Sequence, residues 1–158
     1  MPAPTSHMPD DLDIRLLELL HHEPRVGMLE ASRRLGVARG TVTARMERLR
    51  DRGVVTGFGP DVDLPAIGYQ VMAFSILELA QGRIAAVTAL LTAIPEVVEA
   101  HTIAGRGDVL IRIVARTNDH LMDVIEMIVE SPHIARAETM IALTEQIRLR
   151  PLSVLGIE

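Results

Sequence analysis

The chain has 158 residues, enough for one or two small domains, and its 48% hydrophobic and 23% charged residues are typical of a protein that buries a core. No apolar run reaches 18 residues and no signal peptide is evident, so we expect a cytoplasmic protein without a membrane span. The sequence contains no cysteine, which excludes disulfides and thiolate chemistry, and its net charge of −5 argues against indiscriminate coating of nucleic acid.

The positive charge is concentrated in one part of this acidic chain. Residues 25–52 contain eight arginines and three acidic residues, whereas seven arginines and thirteen acidic residues follow Gly53. A basic block on an acidic chain predicts a localised anionic partner.

The chain begins with a segment that carries no helical or strand pattern. Residues 1–10 include three prolines and show no periodicity, which predicts a flexible tail. A first helix follows, with Asp10 or Asp11 as its N-terminal cap. It should end before Pro24, because the residue preceding a proline avoids the helical conformation.

Two further helices are predicted on either side of a tight turn. The second helix covers about residues 28–35 and stops at Gly36, and the third begins near Arg39 and ends at Gly53. A short helix, a tight turn and a longer helix form a helix-turn-helix, whose second helix enters the major groove of double-stranded DNA.

The third helix combines a buried stripe with a polar flank. Val42, Met46 and Leu49 are spaced for burial, and hydroxyl, small and arginine side chains share a different flank. In a helix-turn-helix the N-terminal residues of this helix reach base edges, and arginines further along bind phosphates. The residues predicted to contact DNA are Arg39, Thr41, Thr43, Arg45 and Arg48.

A hairpin and a linker are predicted after the third helix. Residues 54–64 alternate β-forming residues with glycine and proline, which predicts a short hairpin, or wing, that completes a DNA-binding domain of residues 11–64. Residues 65–68 are predicted to be a linker. Asp61 and Asp63 fit turn chemistry better than a catalytic pair.

Strands and helices alternate in the second half. The predicted strands cover residues 69–79, 97–105, 108–116 and 134–144, and the predicted helices cover residues 83–94 and 118–130, the latter capped by Asn118. This order predicts a ferredoxin-like βαββαβ sandwich within a domain of residues 69–150, followed by a C-terminal tail of residues 151–158. The predicted fold class is α+β, with an N-terminal winged helix-turn-helix.

The predicted strands are apolar on both faces. In the first strand Met72, Phe74 and Ile76 alternate with other apolar residues, although two helices cover only one face of a four-stranded sheet. The second face is therefore expected to be buried against another subunit. The chain has only two Phe and one Tyr, so a stacking platform for RNA bases is excluded.

The sequence contains no recognisable catalytic or metal-binding motif. None of its six histidines has metal-ligand spacing with other donors, and it has no phosphate-binding glycine loop. We therefore predict no enzyme activity, no cofactor and no metal. The letters Arg106-Gly107-Asp108 also spell the tripeptide of cell-adhesion ligands, but a turn between two strands accounts for them better.

Four stretches, taken in this order, resemble the Lrp/AsnC family of bacterial and archaeal transcription regulators: LDIRLLELL, EASRRLGVARGTVTARMERLRDRGVV, PEVVEAHTIAGRGDVLIRIVA and HIARAETMIAL. The resemblance extends over about residues 11–150. It implies a winged helix-turn-helix, an effector-binding domain, and dimers that assemble into larger even oligomers, commonly octamers. It also implies that an amino acid binds where dimers meet and changes assembly or DNA affinity.

The resemblance places the effector site beside the turn between the second and third strands. There Asp108 is expected to accept the ammonium group of an amino acid, and Arg106 to bind its carboxylate bidentately. The implied effector residues are Gly105, Arg106, Gly107, Asp108 and Thr139. The alternative for this loop is an exposed turn with solvated charges.

The chain departs from the family pattern at three positions. Ala104 and Gly107 stand where members often have a hydroxyl residue and an aromatic residue, and Ala38 stands where a serine usually opens the recognition helix. The first two changes affect the identity of the effector, and the third removes a helix cap worth about 1 kcal/mol. An architectural DNA-organising protein without an effector is the alternative function.

Overall fold

The computed structural model describes residues 8–80 and 84–157, and the chain divides into two compact units. The first unit ends at Pro60 but also includes the chain from Leu149 onward, and the second unit spans Asp61–Arg148. Of the predicted tail, residues 1–7 lie outside the described part of the chain. In the part that is described, no helix combines the length and the apolar character that crossing a bilayer requires.

In the described residues, the first unit contains three α-helices: α1 (Asp11–His22), α2 (Met28–Leu35) and α3 (Arg39–Asp51). Asp10 caps α1, because its carboxylate accepts the Asp13 amide at 3.0 Å while the Asp13 carboxylate accepts the Asp10 amide at 3.3 Å. Gly36 ends α2 in the left-handed conformation, with a φ of 70°. The predicted helix-turn-helix is thereby confirmed.

The C-terminal residues belong to the core of this first unit. Apolar side chains of the three helices, including Leu16, Val42 and Leu49, form one buried cluster, and Ile157 is part of it. Residues 151–158 were predicted to be a tail, but Pro151–Leu155 forms a 3-10 helix and Ile157 is buried. The physical reason for this correction is the apolar content of the segment, which provides surface to bury.

The predicted hairpin is absent from the described structure. Residues 56–63 adopt no regular secondary structure, and Gly57, Gly59 and Pro60 interrupt any strand that would form there. The predicted linker is ordered as a single 3-10 turn, Pro65–Ile67, which ends at Gly68.

Besides the 3-10 turn, the described residues of the second unit form four strands and two α-helices: β1 (Val71–Leu79), α4 (Ile84–Thr92), β2 (Val97–Thr102), β3 (Val109–Ala115), α5 (Asn118–Val129) and β4 (Ile134–Ala142). The antiparallel sheet has the order β2-β3-β1-β4, which confirms the ferredoxin-like sandwich. Arg83, predicted to begin α4, lies outside the described residues. The cap of α5 is Thr117 rather than Asn118, because the Thr117 hydroxyl accepts the His120 amide at 3.1 Å.

The sheet has one face covered by helices and one outer face. Ala73, Leu77, Ile111 and Ile113 are completely buried against apolar side chains of α4 and α5 on the helix-covered face. Alternation along the strands directs the intervening residues to the opposite side of the sheet. This outer face comprises Met72, Phe74, Ile76 and Glu78 of β1, Leu110, Arg112 and Val114 of β3, and Arg136, Glu138, Met140 and Ala142 of β4.

Candidate DNA-binding surface and effector site

Helix α3 packs with one side and exposes the other. Val42, Met46 and Leu49 are buried, whereas Arg39, Thr41 and Arg48 are exposed. At about 100° per residue, Thr41 and Arg48 point within about 20° of each other. A hydroxyl and a guanidinium therefore share one exposed flank of the helix, which we call the α3 flank.

Arg45 is held by the first helix and does not lie free on the α3 flank. Its Nη1 donates to Asp10 Oδ1 at 2.6 Å and to Asp13 Oδ1 at 2.8 Å, and the side chain is only 20% exposed. The hydrogen bond from Arg45 lowers the pKa of Asp10, and the two carboxylates raise the pKa of Arg45. Arg45 is predicted to contact DNA, but in the structure its guanidinium is bonded to α1, and this contact fixes α3 against α1.

Arg48 and Thr43 have different surroundings from Arg45. Arg48 lies 4.0 Å from the Asp13 carboxylate but is 43% exposed, so its guanidinium remains accessible. The Thr43 hydroxyl donates to the Arg39 carbonyl at 3.1 Å, and about 200° of helical rotation separates Thr43 from Thr41. Thr43 therefore borders the exposed side of α3 from the opposite flank. Ala38 precedes α3 without a side-chain cap, as its apolar side chain requires.

Asp108 fastens the turn between β2 and β3 to the end of β1. Its amide donates to the Leu77 carbonyl at 2.8 Å, its carbonyl accepts the Ile103 amide at 2.9 Å, and its Oδ2 accepts the Leu79 amide at 2.7 Å. In the described residues, Oδ1 of this carboxylate receives no hydrogen bond. Asp108 therefore shapes the turn and still presents one carboxylate oxygen.

Gly107 has no room for a side chain. Its φ is 83°, and an added Cβ would lie 2.3 Å from Ile76 Cγ2 and 3.3 Å from the Leu77 carbonyl oxygen. Glycine is required here both by the backbone conformation and by the close approach to β1. The Arg106-Gly107-Asp108 tripeptide is thus a packed turn.

Arg106 reaches across to the last strand. Its Nη2 lies 2.8 Å from Glu138 Oε2, with the two side chains 70% and 41% exposed. The sequence interpretation did not include Glu138, because strand register decides which residue of β4 faces the turn. The Glu138 side chain lies on the outer face, where the residue opposes Ile76.

Thr139 is separated from this ion pair by the alternation of the strand. Its hydroxyl donates to Ser75 Oγ at 3.0 Å, and Ser75 is buried on the helix-covered face. Arg106 and Asp108 therefore belong to one turn, but the Thr139 hydroxyl does not join them. The expected grouping of all three side chains is corrected for Thr139.

Among the described residues no cluster of three or more His, Asp or Glu side chains is suited to hold a metal.

Comparison with known proteins assigns both units. The Lrp/AsnC ligand binding domain matches residues 72–152, and a winged helix-turn-helix DNA-binding domain matches residues 9–56. Regulatory protein AsnC of Escherichia coli strain K12 is 32% identical over 145 residues, which cover 90% of this chain and 95% of AsnC. The HTH-type transcriptional regulator FL11 of Pyrococcus furiosus is 30% identical over 134 residues, which cover 85% of this chain and 89% of FL11.

Solved structures agree with this assignment. The structure of Escherichia coli AsnC superimposes with a TM-score of 0.85 at 29% identity, covering 92% of this chain and 99% of AsnC. The transcriptional regulator NMB0573 of Neisseria meningitidis, solved as a complex with L-Met, has the same fold with a TM-score of 0.80 at 20% identity, covering 94% and 99% of the two chains.

A helix-turn-helix unit joined to a ligand-binding unit of this type defines a DNA-binding transcriptional regulator. Because the ligand-binding domain matches half of the chain and AsnC matches most of it, the chain belongs to the Lrp/AsnC family. The named relatives are regulators, which confirms the prediction that this protein is not an enzyme.

Proposed function

We propose that this protein is a sequence-specific regulator in the cytoplasm whose DNA affinity or assembly responds to an amino acid. The observation that carries the effector part is the turn between β2 and β3. Within three residues it presents the guanidinium of Arg106 and a carboxylate oxygen of Asp108. Two opposite charges at this spacing complement the carboxylate and the ammonium of an amino acid. The L-Met complex of a regulator with the same fold supports this class of effector.

An effector carboxylate has to replace Glu138 as the partner of Arg106. An exposed ion pair contributes only about 0.2–1 kcal/mol, so a ligand that also engages Asp108 displaces it readily. In this proposal Gly105 and Gly107 give the turn its conformation, and Thr139 supports the sheet through Ser75 beneath the site.

The DNA-binding part of the proposal rests on the α3 flank. We propose that Arg39 and Thr41 reach base edges, that Thr43 borders the groove from the other side of the helix, and that Arg48 binds a phosphate. Arg45 is assigned a positioning role, because its guanidinium is bonded to the carboxylates of α1.

The outer face of the sheet supports a homodimer that assembles into a larger even oligomer, an octamer in the family pattern. Apolar side chains of β1, β3 and β4 dominate the centre of this face. An apolar sheet face that no helix of the chain covers is typically buried against another subunit, and a second copy of the chain would cover it.

One observation favours the second candidate, an architectural DNA-organising protein without an effector. Glu138 already neutralises Arg106, and a backbone amide already occupies Oδ2 of Asp108, so the turn is stable without a ligand. The two candidates differ in whether any amino acid stabilises the protein, which a thermal-shift screen of the twenty amino acids measures.

The α3 flank is tested by the salt dependence of duplex binding. Arg48→Ala should weaken binding to all duplexes and reduce the slope of log K against log salt by roughly one unit, because one phosphate contact is lost. Arg50→Ala is the matched control, since Arg50 carries the same charge about 160° away on the same helix. Identical slopes for the two variants would exclude Arg48 as a phosphate ligand.

A further inference from the structure

The C-terminal segment, residues 149–157, closes on the first unit as a small folded element that we call the clasp. Pro151 begins its 3-10 helix, and Gly156, with a φ of 78°, ends it. The left-handed glycine allows the Ile157 amide to donate to the Leu152 carbonyl at 3.3 Å. This turn directs Ile157 into the core.

The side chains of the clasp differ sharply in burial. Ile157 is 4% exposed, and Leu152 and Leu155 pack against the same cluster, whereas Val154 is 82% exposed. A chain end without a fixed contact would leave its apolar side chains similarly exposed. The clasp is therefore docked through one specific face.

The clasp packs into the same hydrophobic core as the recognition helix α3. Ile157 belongs to one buried cluster with Leu16 of α1 and with Val42 and Leu49 of α3. The match of this chain to the winged helix-turn-helix domain ends at residue 56, almost one hundred residues before the clasp. The DNA-binding unit is therefore completed by residues that follow β4 of the ligand-binding unit.

Within the second unit, the first residues of the unit lie close to its last residue. That unit starts at Asp61 and ends at Arg148. Arg148 Nη2 lies 3.1 Å from Asp63 Oδ2, and Arg148 Nε lies 3.3 Å from Glu145. The ion pair thus ties the segment that enters the second unit to the segment that leads from β4 to the clasp.

We propose that the clasp positions α3 by packing into the core of the DNA-binding unit. Truncating the buried Ile157 side chain loosens the packing of α3 and weakens DNA recognition, although no clasp residue needs to touch DNA. The Arg148–Asp63 ion pair fixes the point at which the chain leaves the ligand-binding unit toward the clasp.

The test compares Ile157→Ala with Val154→Ala in the full-length chain. Truncation of the buried isoleucine should lower the melting temperature by at least about 5 °C, whereas the exposed valine should leave it unchanged. Duplex affinity is then measured at a temperature where circular dichroism shows both variants fully folded. The probes are a duplex that the wild type selects from a random pool and an unselected duplex of the same length.

The positioning role predicts that Ile157→Ala loses about two- to thirtyfold in affinity for the selected duplex and less for the unselected duplex. Hydrogen exchange of the α3 amides should also be faster than in Val154→Ala. A lower melting temperature with unchanged duplex affinities and unchanged α3 exchange would overturn the proposal, because the clasp would then only add stability. Equal melting temperatures for the two variants would overturn the docking itself.

Discussion

At the scale of single residues, Asp108 combines a structural contact with a proposed ligand contact. Its Oδ2 accepts the Leu79 amide, and this contact has to be preserved when its charge is tested. Asp108→Asn removes the negative charge but keeps an oxygen acceptor for that amide. Asp108→Ala would remove both the charge and the acceptor.

We predict that Asp108→Asn lowers the affinity for an amino acid effector by roughly ten- to a hundredfold, the value of a charge-assisted hydrogen bond of about 1.5–3 kcal/mol. The melting temperature of the unliganded protein should change little. Calorimetry is carried out with the amino acid that the thermal-shift screen selects. Equal affinities for the two proteins would show that Asp108 only shapes the turn.

Residue types near the turn could be predicted from the sequence, but their partners could not. Gly105, Gly107 and Asp108 follow local rules of turn chemistry, and the structure places them in a turn. The ion pair between Arg106 and Glu138 depends on strand register, and Arg45 finds Asp10 from 35 positions away. No local spacing rule connects residues at such separations.

At the scale of elements, the contact between α1 and α3 makes the DNA-binding unit sensitive to acid. The hydrogen bond from Arg45 holds the pKa of Asp10 below its ordinary value of 3.8. The stabilisation is therefore complete above the unfolded-state pKa and is lost as the pH falls through the lower pKa of the folded state.

We predict that Asp10→Asn removes this part of the acid dependence. Asparagine still caps a helix, so the capping contribution is retained while the ion pair is lost. Urea unfolding at about pH 5 and about pH 3 should show a smaller decrease in stability for the variant than for the wild type. Asp11→Asn removes the same charge from the next position and serves as the control. An identical decrease in all three proteins would contradict the role of the ion pair.

The elements with a strong periodic pattern were predictable, and the irregular segments were not. Helix α2 has the predicted bounds, and β1, β3 and β4 lie inside their predicted ranges. The segment after α3 was predicted as a hairpin from its β-forming residues, but Gly57, Gly59 and Pro60 leave it without strands. The sequence predicts a tail in place of the clasp, because so short a segment shows no periodic pattern. Its structure depends on contacts with a core formed by distant residues.

At the scale of the whole molecule, the outer face of the sheet predicts self-association. Phe74 lies near the centre of this face, opposite Arg112 on β3 and Met140 on β4. Light scattering at micromolar concentration should show dimers or larger even assemblies for the wild type. Phe74→Asp should shift the distribution to smaller species, because the interface loses an apolar side chain and has to desolvate a charged one instead.

The control for this experiment is Met122→Asp, which introduces the same charge at an exposed position of α5. It should assemble like the wild type. A folded, monomeric wild-type protein at micromolar concentration would contradict the proposed interface, and so would equal assembly of the two variants.

The central proposal is that the protein couples its affinity for DNA to the binding of an amino acid. The measurement that tests it most directly is the affinity of the wild-type protein for a selected duplex, determined by fluorescence anisotropy with each of the twenty amino acids in turn. We predict that at least one amino acid changes the dissociation constant by about fivefold or more, the lower range of typical coupling between two sites. If the duplex is bound and none of the twenty changes its affinity, the melting temperature or the assembly, the effector proposal is contradicted and the architectural function replaces it.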